Sequence, residues 1–491
     1  MKTRNIIIAF VFMLMPVLSE AQVLKGSYFL ENSIDRNKMN PAFAPRANYL
    51  QLPLVGNTVA GLYTNWFGME TLFPELGNGK FGTFLHPDIS VEEFAKNLAD
   101  YPHVDANFDL NVFSLGFYTK RKSFWTFDVG MRAYLDTDWP RDLFTFLKAG
   151  TGLGTQSHNI ANFNAYLGTA ATMSLGYSRD LSSLLKGLRV GVRARVIAPL
   201  LYAGINLENV RLTTSDEAWK INTEGYINLA IQGLNMGDVS VTPDEESTQM
   251  PSVGFNLQQM INNKVIAGLG YSFDIGFEYK LSTGCFLDGL SVSAALTDLG
   301  RITYSSSAVR SFSTNGEFVW EGLKDASLDT DFESFFTSVT DDAMSSLVNI
   351  KDNGSAPLVT SARPSFYAGV EVPFLWRRAS VGLLYSARKS HSYLREELTA
   401  SLNLKPGKWL ALGVNYSFLN SSKLAGWILE FTPKVGPAFR VGMDYIFYDF
   451  YKAPILANLG VPEMISYLPS GNVRLNFSFG CALNLGSRYG R

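Results

Sequence analysis

Hydrophobic and polar residues alternate along most of this chain, and the longest alternation lies close to its C-terminal end. In residues 472–486, every second residue from Val473 to Leu485 is apolar, and the residues between them are polar or small. Successive side chains of a β-strand point to opposite faces, so this stretch predicts a strand with one apolar face. In a transmembrane β-barrel only the lipid-facing side must be apolar, so the pattern is typical of a closing barrel strand.

Other stretches show the same alternation and also predict strands. They are residues 104–112, 124–135, 165–177, 188–196, 219–232, 265–280, 366–374, 398–405, 410–418 and 441–447. The apolar face of these stretches carries no charged side chain, whereas the opposite face carries both signs. A charge that faces lipid at mid-bilayer costs about 2 to 4 kcal/mol, so the two faces are interpreted as lipid-facing and lumen-facing.

The connections between these strands alternate in length. Short turns are predicted at residues 119–122, 376–378, 405–408 and 434–437, and long connections at residues 68–103, 136–161, 234–264, 301–362 and 448–470. Short periplasmic turns and long external loops are typical of outer-membrane barrels. The chain is therefore predicted to be all-β, a transmembrane antiparallel β-barrel of about 14–16 strands with an N-terminal plug segment and long extracellular loops. Residues 49–67 form either one strand or part of the plug.

Three helices are predicted in the long connections, at residues 88–100, 139–147 and 329–350. The first carries a capping box, in which Ser90 is followed three residues later by Glu93.

The alternative interpretation is a secreted β-sandwich, whose strands also alternate with a period of two. Runs of 13 to 16 residues exceed the usual strand length of about 5 to 6 in globular proteins. Aromatic residues make up 13% of the 491 residues, and they cluster at predicted strand ends, as at Trp376. That position suits a membrane interface, so the barrel is favoured.

The N-terminus predicts export. Residues 1–21 resemble a signal peptide, with Lys2 and Arg4 before an apolar run and Ala21 at a small-residue cleavage site. Residues 22–48 are predicted to be a plug or periplasmic segment, and residues 49–491 to be the barrel, with a long external insert at residues 301–362. The expected location is the outer membrane of a Gram-negative cell.

Neither catalysis nor cofactor binding is expected. Cys285 and Cys481 are the two cysteines, and neither has a metal-ligand spacing. Ser157, His158 and Asn159 have the residue types of a hydrolase site, but sequence neighbours do not form such a site by adjacency. We therefore predict no catalytic residue, no cofactor and no metal. A net charge of −2 gives no reason to expect nucleic acid.

The charged residues predicted to point into the lumen are the main functional candidates. They are Asp128, Arg132, Arg189, Arg193, Arg195, Glu224, Asp274, Glu278, Glu371, Glu430, Arg440, Asp444 and Arg474. Two interpretations stay open: a mutually neutralising network that stiffens the barrel, or a polar solute path guarded by opposed charges.

Asn40-Pro41-Ala42 resembles the motif found ahead of the first strand in barrels of the long-chain fatty-acid transporter (FadL-like) superfamily, where the N-terminal segment forms a plug. With residues 295–304 and strands throughout, the chain resembles uncharacterised Bacteroidota outer-membrane barrels related to FadL-like and PorV-like proteins. The resemblance implies a plugged barrel that passes molecules across the outer membrane. The charged lumen positions do not suit an acyl-chain tunnel.

Two functions follow as hypotheses. The first is passage of small or amphipathic molecules across the outer membrane. The alternative is a non-conducting barrel that acts as a docking component in protein export or surface attachment. The expected partners are outer-membrane lipid, the barrel insertion machinery and, for the alternative, an export or surface protein.

Overall fold

A computed structural model gives the structure of the chain. It describes residues 23–52, 57–65, 68–72, 74–76, 83–120, 122–149, 156–159, 163–215, 219–232, 265–282, 288–320, 350–391, 393–419, 422–446, 450–452, 467–469 and 472–486. The predicted signal peptide, Cys285 and residues 329–349 of the helix predicted at residues 329–350 lie outside these residues.

Strands dominate the described residues. The helices are a 3-10 helix at Lys25–Ser27 and the α-helices α1 (Arg36–Met39), α2 (Met69–Leu72), α3 (Val91–Lys96) and α4 (Arg141–Ala149). The strands are β1 (Asn48–Gln51), β2 (Thr58–Thr64), β3 (His103–Tyr118), β4 (Ser123–Asp138), β5 (Gln156–Asn159), β6 (Phe163–Asp180), β7 (Leu188–Thr214), β8 (Trp219–Ile231), β9 (Gly268–Lys280), β10 (Ser291–Tyr304), β11 (Val309–Trp320), β12 (Ile350–Asp352), β13 (Leu358–Ser361), β14 (Ser365–Phe374), β15 (Ala379–Lys389), β16 (Leu394–Gly407), β17 (Leu410–Leu419), β18 (Ser422–Phe431), β19 (Val435–Ile446), β20 (Phe450–Lys452), β21 (Tyr467–Pro469) and β22 (Arg474–Gly486).

Fourteen strand positions close into one antiparallel barrel, which confirms the predicted fold. β1 and β2 share one position, because both pair with β22 on one side and with β3 on the other. The remaining positions are β3, β4, β6, β7, β9, β10, β14, β15, β16, β17, β18, β19 and β22, each hydrogen-bonded to the next. The single strand predicted at residues 49–67 therefore corresponds to one wall position, to which β1 and β2 both contribute.

The 27-residue strand β7 is much longer than a membrane crossing needs. Its first part pairs with β9, from Leu188 to Ile197, and its last part pairs with β8, from Leu201 to Thr214. A crossing takes about 9 to 11 residues, so the distal part of β7 extends beyond the barrel. There β8 also pairs with β11.

Several sequence predictions need correction. The strand predicted at residues 219–232 is present as β8, but it belongs to the extension and not to the barrel wall. The predicted external insert at residues 301–362 contains the end of β10 together with β11, β12 and β13. The wall strands β10, β15 and β18 were not among the strands predicted from the alternation. The turn between β18 and β19 lies at residues 432–434 and begins two residues before the turn predicted at residues 434–437.

The two faces of the wall differ as the alternation predicts. On β9, the outward Leu269, Phe273 and Ile275 are 65%, 55% and 55% exposed, whereas the inward Asp274 and Glu278 are buried. On β22, Phe477, Phe479, Leu483 and Leu485 face outward. This apolar outer surface is the one that lipid would cover.

Replacing Leu383 with arginine tests the lipid face. Leu383 lies near the middle of β15 and is 47% exposed, so an arginine there is expected to destabilise the barrel by about 2 to 4 kcal/mol. Leu184→Arg is the matched control, because Leu184 is exposed in the turn between β6 and β7, where the expected cost is about 0 to 1 kcal/mol. Urea unfolding from lipid vesicles measures both. Equal costs would contradict this assignment of the outer face.

The helices α3 and α4 pack against each other at the long-loop end. Ser90 Oγ accepts a hydrogen bond from Glu93 N at 3.0 Å, as the capping box predicts. Phe94, Leu98 and Phe144 form a buried apolar cluster between the helices. No helix among the described residues is long and apolar enough to cross a membrane.

Candidate functional site

Residues 23–47, called the inner segment below, lie among inward-facing side chains of the wall. Tyr28 is fully buried, and its hydroxyl lies 3.0 Å from Ser293 Oγ of β10. Leu24 and Leu30 pack with Ala411 and Ile428 of β17 and β18. The segment therefore contacts wall strands on different sides of the lumen.

The Asn40-Pro41-Ala42 motif lies against two wall glycines that pair with each other, Gly191 of β7 and Gly276 of β9. A Cβ atom at Gly191 would lie 2.2 Å from the carbonyl carbon of Pro41, and one at Gly276 would lie 2.2 Å from Asn40 Oδ1. The side chain of Asn40 donates a hydrogen bond to the carbonyl of Phe277 at 3.0 Å. Because these two glycines have no side chain, the wall leaves room for the motif at this place.

One end of the inner segment is held by a fully buried ionic network. Lys25 forms an ion pair with Glu397 of β16 and donates to Tyr445 Oη at 2.8 Å. Tyr445 in turn donates to Glu397 at 2.8 Å. Asp444 of β19 accepts hydrogen bonds from the backbone N–H groups of Lys25 at 2.8 Å and Gly26 at 3.2 Å.

The following part of the inner segment also pairs with wall charges. Asp35 forms an ion pair with Arg440 of β19, and Arg36 Nη2 lies 3.6 Å from Glu278 of β9. Arg193 of β7 donates to the carbonyl oxygen of Asn37 at 2.9 Å. Inner-segment charges are thus matched by wall charges of opposite sign on β9 and β19.

Near the short-turn end, Glu31 accepts hydrogen bonds from Arg46 Nη2 and Lys280 Nζ, both at 2.7 Å. The Lys280 ammonium holds the pKa of Glu31 well below its usual range. The inner segment is therefore anchored at this end by a carboxylate that stays ionised.

A second ionic cluster lies within the wall. Arg195 of β7 pairs with Asp274 at 3.4 Å and with Asp298. Arg132 of β4 lies 3.1 Å from Asp298, and Arg193 lies 3.4 Å from Asp274. Asp298 has a left-handed backbone (φ 57°) at the irregular register between β9 and β10, which places its carboxylate among these arginines.

The structure brings most of the predicted lumen residues into these clusters. Arg132, Arg193, Arg195 and Asp274 form the wall cluster, and Glu278, Arg440 and Asp444 contact the inner segment. The others point inward at separate places: Asp128 beside Ser114 and Ser174, Arg189 beside Ser178, Glu371 beside Lys405, Glu430 at a small cavity with Ser33, and Arg474 over the Tyr63 ring.

Glu224 was wrongly predicted to face the lumen. It lies on β8, beyond the barrel, where it is exposed and accepts a hydrogen bond from Asn209 at 2.8 Å. Its strand alternates like a wall strand because the extension is also a two-faced sheet.

Important partners were missed. Lys25, Asp35 and Arg36 were included in the predicted plug without a role, and Glu397 and Asp298 were not predicted as site residues. Extending the predicted strand at residues 398–405 backwards would have found Glu397, which shares an inward face with Thr399, Ser401 and Asn403.

Ser157 and His158 are adjacent on strand β5. Neighbouring residues of a strand point to opposite faces, so these two side chains do not converge.

A closed barrel with an apolar outer face and a charged, filled interior defines a transmembrane β-barrel protein. This chain belongs to a family of unknown function, DUF5723, whose family profile matches residues 41–438. A search of curated proteins found no match.

Solved structures similar to the chain include a TodX monoaromatic hydrocarbon channel (deltaS2 mutant), with 10% identity and a TM-score of 0.37, covering 91% of this chain and 93% of that one. The toluene transporter TbuX of Ralstonia pickettii has 8% identity and a TM-score of 0.38, with coverage of 91% and 92%. A FadL homologue of Pseudomonas aeruginosa has 10% identity and a TM-score of 0.37, with coverage of 94% and 96%. The relation to PorV-like proteins and to Bacteroidota stays a prediction.

Proposed function

We propose that this protein is an outer-membrane β-barrel that passes small or amphipathic molecules, and that the inner segment is a plug which must move for passage. The observation that carries this proposal is the set of ion pairs that hold the inner segment against the wall. Its charges are matched by wall charges of opposite sign, as in Lys25 with Glu397 and Asp35 with Arg440. The apolar outer face supports the membrane location.

The polar interior favours a polar or amphipathic solute over a purely apolar one. Displacing the inner segment would remove Lys25 from Glu397 and Asp444 on one side of the lumen and Asn37 from Arg193 on another. Water entering the lumen would solvate these charges, and opposed charge clusters of this kind select among solutes in channels. In this proposal, the path is closed while the inner segment fills the lumen.

The charge of the inner segment leads to a selectivity prediction. Residues 23–47 contain four basic and two acidic residues, so a barrel without them has a more acidic lumen. A variant lacking residues 22–48 is therefore expected to conduct in planar lipid bilayers and to prefer cations, whereas the full-length barrel stays closed. Reversal potentials in a salt gradient measure the preference.

Heat-dependent migration on a gel is the control that the variant still forms a barrel. If the full-length protein and the folded variant are both silent, the transport proposal fails.

The second candidate is a non-conducting barrel that docks a partner in export or surface attachment. It is favoured by the depth of the inner-segment contacts, since Lys25, Asp35 and Arg36 are all at most 4% exposed. Such deep burial of charged side chains is consistent with an inner segment that fills the lumen permanently. In that case the β7–β8–β11 extension and helices α3 and α4 would be the partner surface, and bilayer recordings would be silent in both forms.

A further inference from the structure

At the long-loop end of the barrel, His103 lies between two carboxylates. His103 of β3 is directly opposite Asp138 of β4 in the strand register, and Asp136 is on the same inward face. His103 Nδ1 is 2.7 Å from Asp138 Oδ1, and His103 Nε2 is 3.7 Å from Asp136 Oδ1. The side chains of His103 and Asp136 are 1% and 0% exposed.

Asp136 Oδ1 is buried and has no hydrogen-bond partner. The other oxygen of the same carboxylate is engaged: Arg363 Nη2 and the backbone N–H of His391 both lie 3.2 Å from Asp136 Oδ2. The separation of 3.7 Å between Oδ1 and His103 Nε2 is too long for a hydrogen bond. An unsatisfied buried carboxylate oxygen of this kind calls for a specific partner.

A single metal ion fits between these two atoms. Zinc binds imidazole nitrogen at about 2.0–2.1 Å and carboxylate oxygen at about 2.0–2.2 Å, so two such ligands can lie up to about 4 Å apart. The observed 3.7 Å lies within that limit. Asp138 is also close, since one nitrogen or oxygen atom from each of His103, Asp136 and Asp138 lies within 4.8 Å of the other two.

The contact with Asp138 orients His103 for this role. With its Nδ1–H donated to a carboxylate, an imidazole presents the lone pair of Nε2, and metal-bound histidines typically have such a partner. Asp138 is 20% exposed, whereas His103 and Asp136 are buried, so an ion would enter on the side of Asp138. Asp105 also lies nearby and shares Arg363 with Asp136.

We propose that His103 Nε2 and Asp136 Oδ1 bind a divalent transition-metal ion such as Zn²⁺, with Asp138 as the residue that positions His103. Nitrogen and oxygen ligands of this type suit zinc better than calcium or magnesium. The sequence did not predict the site, because 32 residues separate His103 from Asp136 and only the β3–β4 pairing brings them together.

Zinc loading of the full-length protein tests the proposal. Barrel purified in detergent is treated with a chelator, incubated with zinc chloride and desalted, and zinc per chain is measured by elemental mass spectrometry. The wild type is expected to retain one zinc per chain, and His103→Ala and Asp136→Asn to retain none. Asp138→Asn is expected to weaken binding by about 10- to 100-fold, the usual effect of removing a carboxylate that orients a metal ligand.

His86→Ala is the matched control, because His86 lies 3.7 Å from Asp88 in an exposed His–Asp pair. It is expected to retain zinc like the wild type. X-ray absorption of the zinc-loaded wild type, which needs no substitution, is expected to show nitrogen and oxygen ligands that include an imidazole. A wild type that retains no zinc would overturn the proposal, and the network would then be a protonated histidine between two carboxylates. Retention by a correctly folded His103→Ala variant would overturn it as well.

Discussion

Replacing Lys25 with methionine is expected to destabilise the closed barrel by about 3 to 5 kcal/mol. Lys25 forms an ion pair with Glu397, and both side chains are at most 2% exposed. Removing one partner of a buried pair leaves the other charge in a low-dielectric interior without compensation. Urea unfolding from lipid vesicles measures the stability, and trypsin cleavage measures how well the inner segment is protected. We expect the variant to lose both stability and protection.

The double variant Lys25→Met, Glu397→Gln distinguishes the cost of leaving the Glu397 charge unpaired from the cost of losing the contacts of Lys25. Since both charges are removed, it is expected to recover most of the stability lost in the single variant. Lys38→Met is the matched control in the same segment, because Lys38 pairs at 3.3 Å with Asp35, a neighbour within the segment, and is less buried. Its expected cost is below about 1 kcal/mol. A double variant as unstable as Lys25→Met would contradict the proposed role of the pair.

The second large effect is expected from adding a single methyl group to the wall. In Gly191→Ala the new Cβ would lie 2.2 Å from the backbone of Pro41, and in Gly276→Ala it would lie 2.2 Å from Asn40 Oδ1. Overpacking of this kind typically costs about 1 to 3 kcal/mol. Because the strand itself tolerates alanine, we expect the inner segment to move and the wall to stay. The expected readouts are faster proteolysis of residues 23–47 and, under the transport proposal, measurable conductance of the full-length protein.

Gly407→Ala is the control for this prediction. Gly407 ends β16, and the nearest atom to its Cβ would be Nε1 of the half-exposed Trp409 side chain at 3.0 Å. This side chain can shift into its surroundings, so protection of the inner segment should stay unchanged. If Gly191→Ala leaves proteolysis and conductance as in the wild type, the close approach of Pro41 does not hold the segment in place.

The sequence predicted where strands occur in the chain better than it predicted whether a strand belongs to the barrel wall. Alternation located β9 and β22 to within about three residues, because a wall strand between lipid and a polar lumen needs a different chemistry on each face. The same alternation misplaced Glu224, since β8 is a two-faced strand in an extension outside the wall. A period of two shows that the two faces of a strand lie in different environments, but it does not identify those environments.

For the interior, the sequence predicted which side chains point inward but not which partners they contact. The inward direction of Arg193, Asp274 and Asp444 follows from their place on alternating strands. The pairing of Asp444 with the backbone of Lys25 does not follow, because the two residues are 419 positions apart in the chain. Asp298 was missed because a register shift with left-handed backbone interrupts the alternation at that point.

By itself, the sequence determined that this chain builds a two-faced antiparallel wall, because the period of two is a local property of the backbone and each face is selected by its solvent. Only the tertiary structure decided how the wall closes and what fills it: fourteen positions joined through β22, β1 and β2, an inner segment seated on Gly191 and Gly276, and His103 brought to Asp136. These contacts join residues far apart in the chain, and their energies depend on distance and burial in three dimensions.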